Sequence, residues 1–165
     1  MRSYDLSGLK FLVVDNNAHM RQIVYTILHG FGVDSIFQAE DGGDALRQAR
    51  WCRPDIIIVD NLMEPVDGLE MTRTLRRDPN FFDPFVPVIM LSGLTEPQNV
   101  AAARDAGVTE FCAKPVSATT LYSHIVSCIE NPRAFVRAPG YVGPDRKRHD
   151  PTDYQGPERR GSDGC

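Results

Sequence analysis

Short apolar runs and helical stripes alternate through the first 130 residues. KFLVVD at 10–15, IIIVD at 56–60, VPVIML at 86–91 and EFCA at 110–113 are almost continuously apolar. Strands buried on both faces require such runs. A weaker run, DSIFQ at 34–38, predicts a fifth strand. Between these lie stretches of helical period. Met20, Ile23, Val24, Ile27, Leu28 and Phe31 follow i, i+3, i+4, i+7, i+8, i+11 and line one helix face. Leu121, Ile125, Cys128 and Ile129 repeat the pattern near the end of this region. Ala45, Leu46 and Ala49 mark a second helix, Leu69, Thr72 and Leu75 a third, and residues 100–106 a fourth.

Five strands alternating with five helices imply an α/β fold, a (βα)5 doubly wound parallel sheet covered on both faces. Right-handed crossovers restrict the topology, and the flavodoxin-like strand order 2-1-3-4-5 is a common solution. The pattern stops after Glu130. Residues 131–165 hold five prolines, five glycines and few apolar side chains, a composition that predicts a mostly disordered C-terminal tail. The expected organisation is therefore a globular domain at 1–130 and a separate segment at 131–165.

Composition adds little to the domain and more to the segment. The chain is 42% hydrophobic and 24% charged, ordinary values for a globular protein. No apolar stretch approaches the roughly 20 residues that span a bilayer. Cys52, Cys112, Cys128 and Cys165 show neither a CxxC pair nor metal-ligand spacing with histidine. The N-terminal residues lack the apolar core of a secretory signal, so a reduced, cytoplasmic setting is expected. Residues 1–130 carry 11 basic and 17 acidic side chains, residues 131–165 seven basic and five acidic. An acidic body does not suit a bulk DNA binder, and the split suggests two jobs.

In an open parallel sheet, ligands bind beyond the carboxyl ends of the strands. Here those ends carry Asp15, Asp60, Ser92 and Lys114. In the order 2-1-3-4-5 the first and third strands are neighbours, about 4.8 Å apart, which brings Asp15 and Asp60 face to face. Two such carboxylates repel unless a cation intervenes, and Mg²⁺ suits oxygen ligands. A lysine and a hydroxyl converging on the same place can hold phosphoryl oxygens. The spacing points to a Mg²⁺-dependent phosphoryl site on Asp60. Asp15 also stands where it could cap the first helix. His19 and His124 fall within expected helices and carry no assigned role.

Phe11-Leu-Val-Val-Asp15, Asp60 followed by Met63 and Asp67-Gly68, Leu91-Ser92-Gly93 and Ala113-Lys114-Pro115 resemble the CheY-type receiver domain of two-component signalling across residues 9–130. The resemblance implies a signalling module rather than an enzyme. It implies that Asp60 accepts a phosphoryl group from a histidine kinase, that Ser92 and Lys114 contact that group, and that Phe111 is the aromatic whose rotation accompanies activation. Its metal positions correspond to Asp15, Asn16, Asp60 and the backbone carbonyl of Leu62. Asn16 departs from the family's acidic pair, and a neutral amide there should weaken Mg²⁺ binding. Met63-Glu64-Pro65 departs from the family's more usual Met-Pro, and Glu64 offers another carboxylate nearby.

The C-terminal segment contains an internal repeat. Tyr141-Val-Gly-Pro-Asp-Arg146 returns as Tyr154-Gln-Gly-Pro-Glu-Arg159. An arginine fork fits the O6 and N7 edge of guanine, or a phosphate. An acidic side chain can accept from guanine's N1–H and N2–H₂, and tyrosine stacks on purine faces. Each copy holds the parts for one guanine and one phosphate, and two copies match cyclic di-GMP. A receiver with such an extension resembles the CheY-like cyclic di-GMP effectors of alphaproteobacteria, the Cle group. By that resemblance Arg137, Tyr141, Asp145, Arg146, Arg148, Tyr154, Glu158, Arg159 and Arg160 would bind the dinucleotide, and the protein would act at the flagellar motor switch protein. The alternative is a switch driven by phosphorylation of Asp60, with a passive tail.

Overall fold

The computed structural model describes residues 4–130, apart from Pro79 and Phe82, and the backbone of 135–138 and 141–144. Strands β1 (Lys10–Val14), β2 (Ser35–Ala39), β3 (Ile56–Asp60), β4 (Val88–Ser92) and β5 (Glu110–Ala113) alternate with helices α1 (Ala18–Gly30), α2 (Gly42–Cys52), α3 (Gly68–Arg77), α4 (Pro97–Ala106) and α5 (Ala118–Glu130). The strands form one parallel sheet in the order β2-β1-β3-β4-β5. The expected architecture is the observed one.

Alternation along the strands sorts the core into two layers. Leu12, Val14, Ile57, Val59, Val88 and Met90 face α2, α3 and α4 through Ala45, Ala49, Met71, Leu75 and Ala103. Phe11, Val13, Ile56, Ile58, Ile89 and Leu91 face α1 and α5 through Val24, Leu28, Leu121, Ile125 and Cys128. The two helical stripes read most clearly from the sequence, those of α1 and α5, thus share one face. Every residue of β3 and β4 is buried, which is why those runs carry no polar alternation. Edge strand β2 is only half buried, the physical reason for its weaker signal. Beside it, the exposed Trp51 of α2 meets Phe37 edge-to-face, ring centroids 5.5 Å apart.

Element ends follow local chemistry. The side chains of Asn17, Asp41 and Asp67 accept backbone N–H groups at the starts of α1, α2 and α3, the usual satisfaction of a helix's first donors. Strand β4 starts at Val88, two residues later than the apolar run at 86–91. Pro87 has no N–H to give a ladder, and the Val86 N–H turns back to the Asp83 carbonyl. Buried Arg76 of α3 ties this stretch down. Its guanidinium donates to the carbonyls of Pro84, Val86 and Gly107 at 2.7, 2.6 and 3.0 Å and to Thr109 Oγ1 at 3.3 Å.

The C-terminal segment departs in part from its expected lack of regular structure. Strands β6 (Phe135–Ala138) and β7 (Tyr141–Pro144) pair antiparallel, Ala138 opposite Tyr141 and Phe135 opposite Pro144, and β7 lies against α3 and α4. The intervening Pro139-Gly140 is a turn-marking dipeptide between two pairs of β-formers, so the sequence does carry a hairpin signal there. The disorder expected of 145–165 lies outside the described residues. Among the described residues, no helix is long and apolar enough to cross a membrane.

Candidate functional site

The first and third strands end side by side, with Val14 registered against Val59, so Asp15 and Asp60 emerge together at the sheet's carboxyl edge. Both are buried, at 5% and 6% exposure. Strand β4 ends on buried Ser92, registered against Ala113 of β5. The next residue, Lys114, then reaches the site: its ammonium is in contact with Asp60 Oδ1. Four residues that lie far apart in the sequence thus converge as the topology requires.

Asp15 Oδ1 accepts the Asn17 N–H at 2.9 Å, and Arg21 Nη1 donates to the Asp15 carbonyl at 2.6 Å. Burial above all, together with the Asp60 carboxylate, pushes Asp15 above the ordinary carboxylate range, against the opposing pull of Asn17, Lys114 and Arg21. The cap of α1 is Asn17, whose side chain takes the His19 and Met20 N–H groups, so Asp15 is released from that role. Ser92 Oγ accepts the Leu94 N–H at 3.0 Å. Its own O–H proton can be given to an acceptor above the strand ends. Phe111 is partly buried against the layer formed with α2, α3 and α4.

Asn16 is bonded to the backbone of neighbouring loops. Its Oδ1 accepts the Glu64 N–H at 2.9 Å, and its Nδ2 donates to the carbonyls of Glu40 and Glu64 at 2.6 and 3.2 Å. It is the backbone of Glu64, not its carboxylate, that meets Asn16. Leu62 is 65% exposed, so any part it plays in the site falls to its backbone. Gly68 permits the close return of the β3–α3 loop. Its N–H donates to the Asn61 carbonyl at 3.1 Å, and a Cβ on it would lie 2.6 Å from the Asp60 carbonyl oxygen.

The carboxylates available to a hard divalent cation are Asp15 and Asp60, adjoining at the carboxyl edge of the sheet. Oxygen donors of this kind fit Mg²⁺, which keeps several waters and binds through one or two carboxylates. No group of three or more His, Cys, Asp or Glu side chains is assembled for a metal among the described residues.

Sequence reasoning passes over the pairing behind β5. His124 Nδ1 lies 2.9 Å from Glu110 Oε1, and Ser127 Oγ donates to Glu110 Oε2 at 3.1 Å. No spacing rule announces it, because the partners sit on different elements. Of the residues expected to bind a dinucleotide, Arg137 falls in β6 and Tyr141 in β7. Asp145, Arg146, Arg148, Tyr154, Glu158, Arg159 and Arg160 lie outside the described residues.

A family model described as a response regulator receiver domain matches residues 11–126. The DNA-binding response regulators MtrA of Mycobacterium tuberculosis and Mycobacterium bovis are each 28% identical over 121 residues, 73% of this chain and 50% of theirs. The chain thus spans about half the length of these curated relatives. Among solved structures, the chemotaxis protein CheY4 of Vibrio cholerae is 30% identical with a TM-score of 0.66, covering 72% of this chain and 96% of that one. The receiver domain of the Francisella response regulator 1452 is 27% identical with a TM-score of 0.65, covering 72% and 94%.

Proposed function

Because the chain belongs to the response regulator receiver family, we propose that Asp60 is its phosphoacceptor, loaded by a histidine kinase or a small phosphodonor. The single observation that carries this is the contact of the Lys114 ammonium with the Asp60 carboxylate, beside Asp15, at the end of β3. An Asp60 carboxylate oxygen attacks phosphorus in line with the bond to the leaving group, P–N in a phosphohistidine or P–O in an acyl phosphate. The new O–P bond forms as that bond breaks, and the imidazole or the carboxylate leaves with the electron pair. Lys114 is placed to follow the charge onto the phosphoryl oxygens, and the Ser92 hydroxyl to donate to one of them. Mg²⁺, held by Asp15, Asp60 and the Leu62 carbonyl, would supply further neutralisation of the phosphoryl oxygens. Acetyl phosphate with Mg²⁺ should add the mass of one phosphoryl group to the native chain and none to Asp60→Asn. Equal labelling of both proteins rejects the assignment.

A second reading concerns residues 131–165, and the repeated Tyr-x-Gly-Pro-acid-Arg unit favours it. The segment is read as a cyclic di-GMP clasp whose arginines Arg137, Arg146, Arg148, Arg159 and Arg160 grip phosphates and guanine edges. Tyr141 and Tyr154 would stack, and Asp145 and Glu158 would accept from the bases. The first four residues of the first copy form β7, beside α3 and α4, which gives that copy a fixed neighbour on the receiver. The downstream target in this reading is the flagellar motor switch protein, in keeping with the chemotaxis role in the name of the similar Vibrio cholerae protein. Calorimetric titration of the full chain with cyclic di-GMP should give saturable heat, lost when Arg146, Arg148, Arg159 and Arg160 are all alanine. Undiminished binding by that variant, or no heat from the native chain, rejects it.

A further inference from the structure

We propose that Asn16 is a positioning residue: its amide clamps the β3–α3 loop to the loops after β1 and β2, and so stays off the metal. The relevance to phosphoryl transfer rests on the Asp60 reading above; the clamp itself rests on hydrogen bonds. Asn16 Oδ1 takes the Glu64 N–H at 2.9 Å while Nδ2 gives to the Glu64 carbonyl at 3.2 Å, so the amide pairs with both backbone groups of one residue. The second Nδ2 hydrogen goes to the Glu40 carbonyl at 2.6 Å. Three loops that leave the carboxyl edge of the sheet are thereby joined at one side chain.

The partner set fixes which way the amide faces. Turned over, its oxygen would confront two carbonyl oxygens and its NH₂ group would confront an N–H. The same accounting explains the residue type. An aspartate could accept the Glu64 N–H but would hold a negative charge against the carbonyls of Glu40 and Glu64. An amide is the one side chain of this length that gives to two acceptors and takes from one donor.

The clamped loop is pinned elsewhere as well. The Gly42 N–H donates to the Val66 carbonyl at 3.0 Å, and the Gly68 N–H donates to the Asn61 carbonyl at 3.1 Å. Asn16 adds the tie next to Asp15, and holds Glu64 two residues beyond Leu62. Loop order is thus in place before any ligand arrives, which lowers the reorganisation left for phosphoryl transfer. Nδ2 cannot bind a cation and one lone pair of Oδ1 is taken by the Glu64 N–H, which leaves Asp15, Asp60 and the Leu62 carbonyl as the better-placed metal donors.

Two substitutions in the full chain test this without any phosphodonor, so the outcome is independent of whether Asp60 is phosphorylated. Glu64 amide hydrogen exchange should speed up by about tenfold or more in Asn16→Ala, which loses the acceptor of that N–H, and by less in Asn16→Asp, whose carboxylate can still accept it. Calorimetric Mg²⁺ affinity should stay within about threefold in Asn16→Ala, because no ligand is lost. It should tighten by about tenfold in Asn16→Asp, because a third carboxylate joins the site. Unchanged Glu64 exchange in Asn16→Ala overturns the clamp. A tenfold loss of Mg²⁺ affinity in the same variant overturns the second half and makes Asn16 a direct ligand.

Discussion

His124 is the residue whose surroundings translate most directly into a measurement. The Cys112 sulfur beside its ring and the Glu110 carboxylate push it up to about 9, against the opposing effect of burial. The folded state therefore holds a proton that the unfolded chain releases near its ordinary value of 6.5. Its stabilisation is complete below that value and is lost as pH rises through the folded value. Denaturant midpoints should fall between pH 6.5 and 9 in the native chain, and His124→Gln should flatten that slope and lower stability at about pH 6. Asp15 is also shifted upward and so has the same pH dependence, but in its case the fold penalises the charged form. Burial and Asp60 disfavour its charged form, so the folded chain is under tension at neutral pH. Asp15→Asn keeps the acceptor for the Asn17 N–H and should raise stability by about 1 kcal/mol in thermal unfolding, while weakening Mg²⁺ binding. At this scale the sequence disclosed Asp15, Asp60, Ser92 and Lys114, because each follows directly from a strand run. It concealed the Asn16–Glu64 and His124–Glu110 pairings. Those join residues 48 and 14 positions apart through tertiary placement that no local pattern encodes.

At the scale of elements, the loop after β3 has the tightest steric requirement. A Cβ at Gly68 would meet the Asp60 carbonyl oxygen at 2.6 Å and Asn61 Cα at 3.3 Å. Both are backbone and cannot swing aside. Gly68→Ala should cost about 1–3 kcal/mol in denaturant unfolding and should displace the end of β3, slowing Asp60 labelling. On the other side of the site, a Cβ added to Gly93 would have nothing within 4 Å, so Gly93→Ala should change stability by less than about 0.5 kcal/mol. Strand and helix positions were legible for one physical reason. A two-sided parallel sheet leaves unbroken apolar runs, and the helices on its faces leave stripes. Boundaries were less so: the run at 86–91 includes Val86 and Pro87, and the turn before β4 and the Arg76 guanidinium claim Val86. The β6–β7 hairpin is hidden from a reading of composition over the whole of 131–165, which averages away two short apolar pairs around Pro139-Gly140.

Across the whole molecule, connectivity sets where the C-terminal segment leaves the receiver. Helix α5 follows β5 and runs back along the sheet for 13 residues, about 20 Å of rise. It starts just after Lys114, at the phosphoryl end, and delivers the chain at Glu130 to the opposite end. The chain thus leaves α5 at the end away from Asp60, and β7 lies against α3 and α4. If the cyclic di-GMP reading holds, loading the native chain with beryllofluoride and Mg²⁺ should leave that affinity within about twofold, the signature of sites with little coupling free energy. A tenfold change would instead reveal that the neighbourhood of β7, α3 and α4 carries a signal between them. The division of the chain into an acidic body and a basic end was visible in its charges, but their attachment at opposite ends of α5 follows only once that helix is laid against the sheet.

The position of Trp51 has a practical consequence for all of these measurements. It is the chain's single indole, 67% exposed and touching Phe37 at the sheet's rim. Its emission maximum should already be that of a largely solvated fluorophore in the native state and should shift little on denaturation, so cooperative unfolding is better followed by far-ultraviolet circular dichroism. The same exposure leaves it open to iodide quenching and makes it a clean optical reporter for anything that docks along the β2 border.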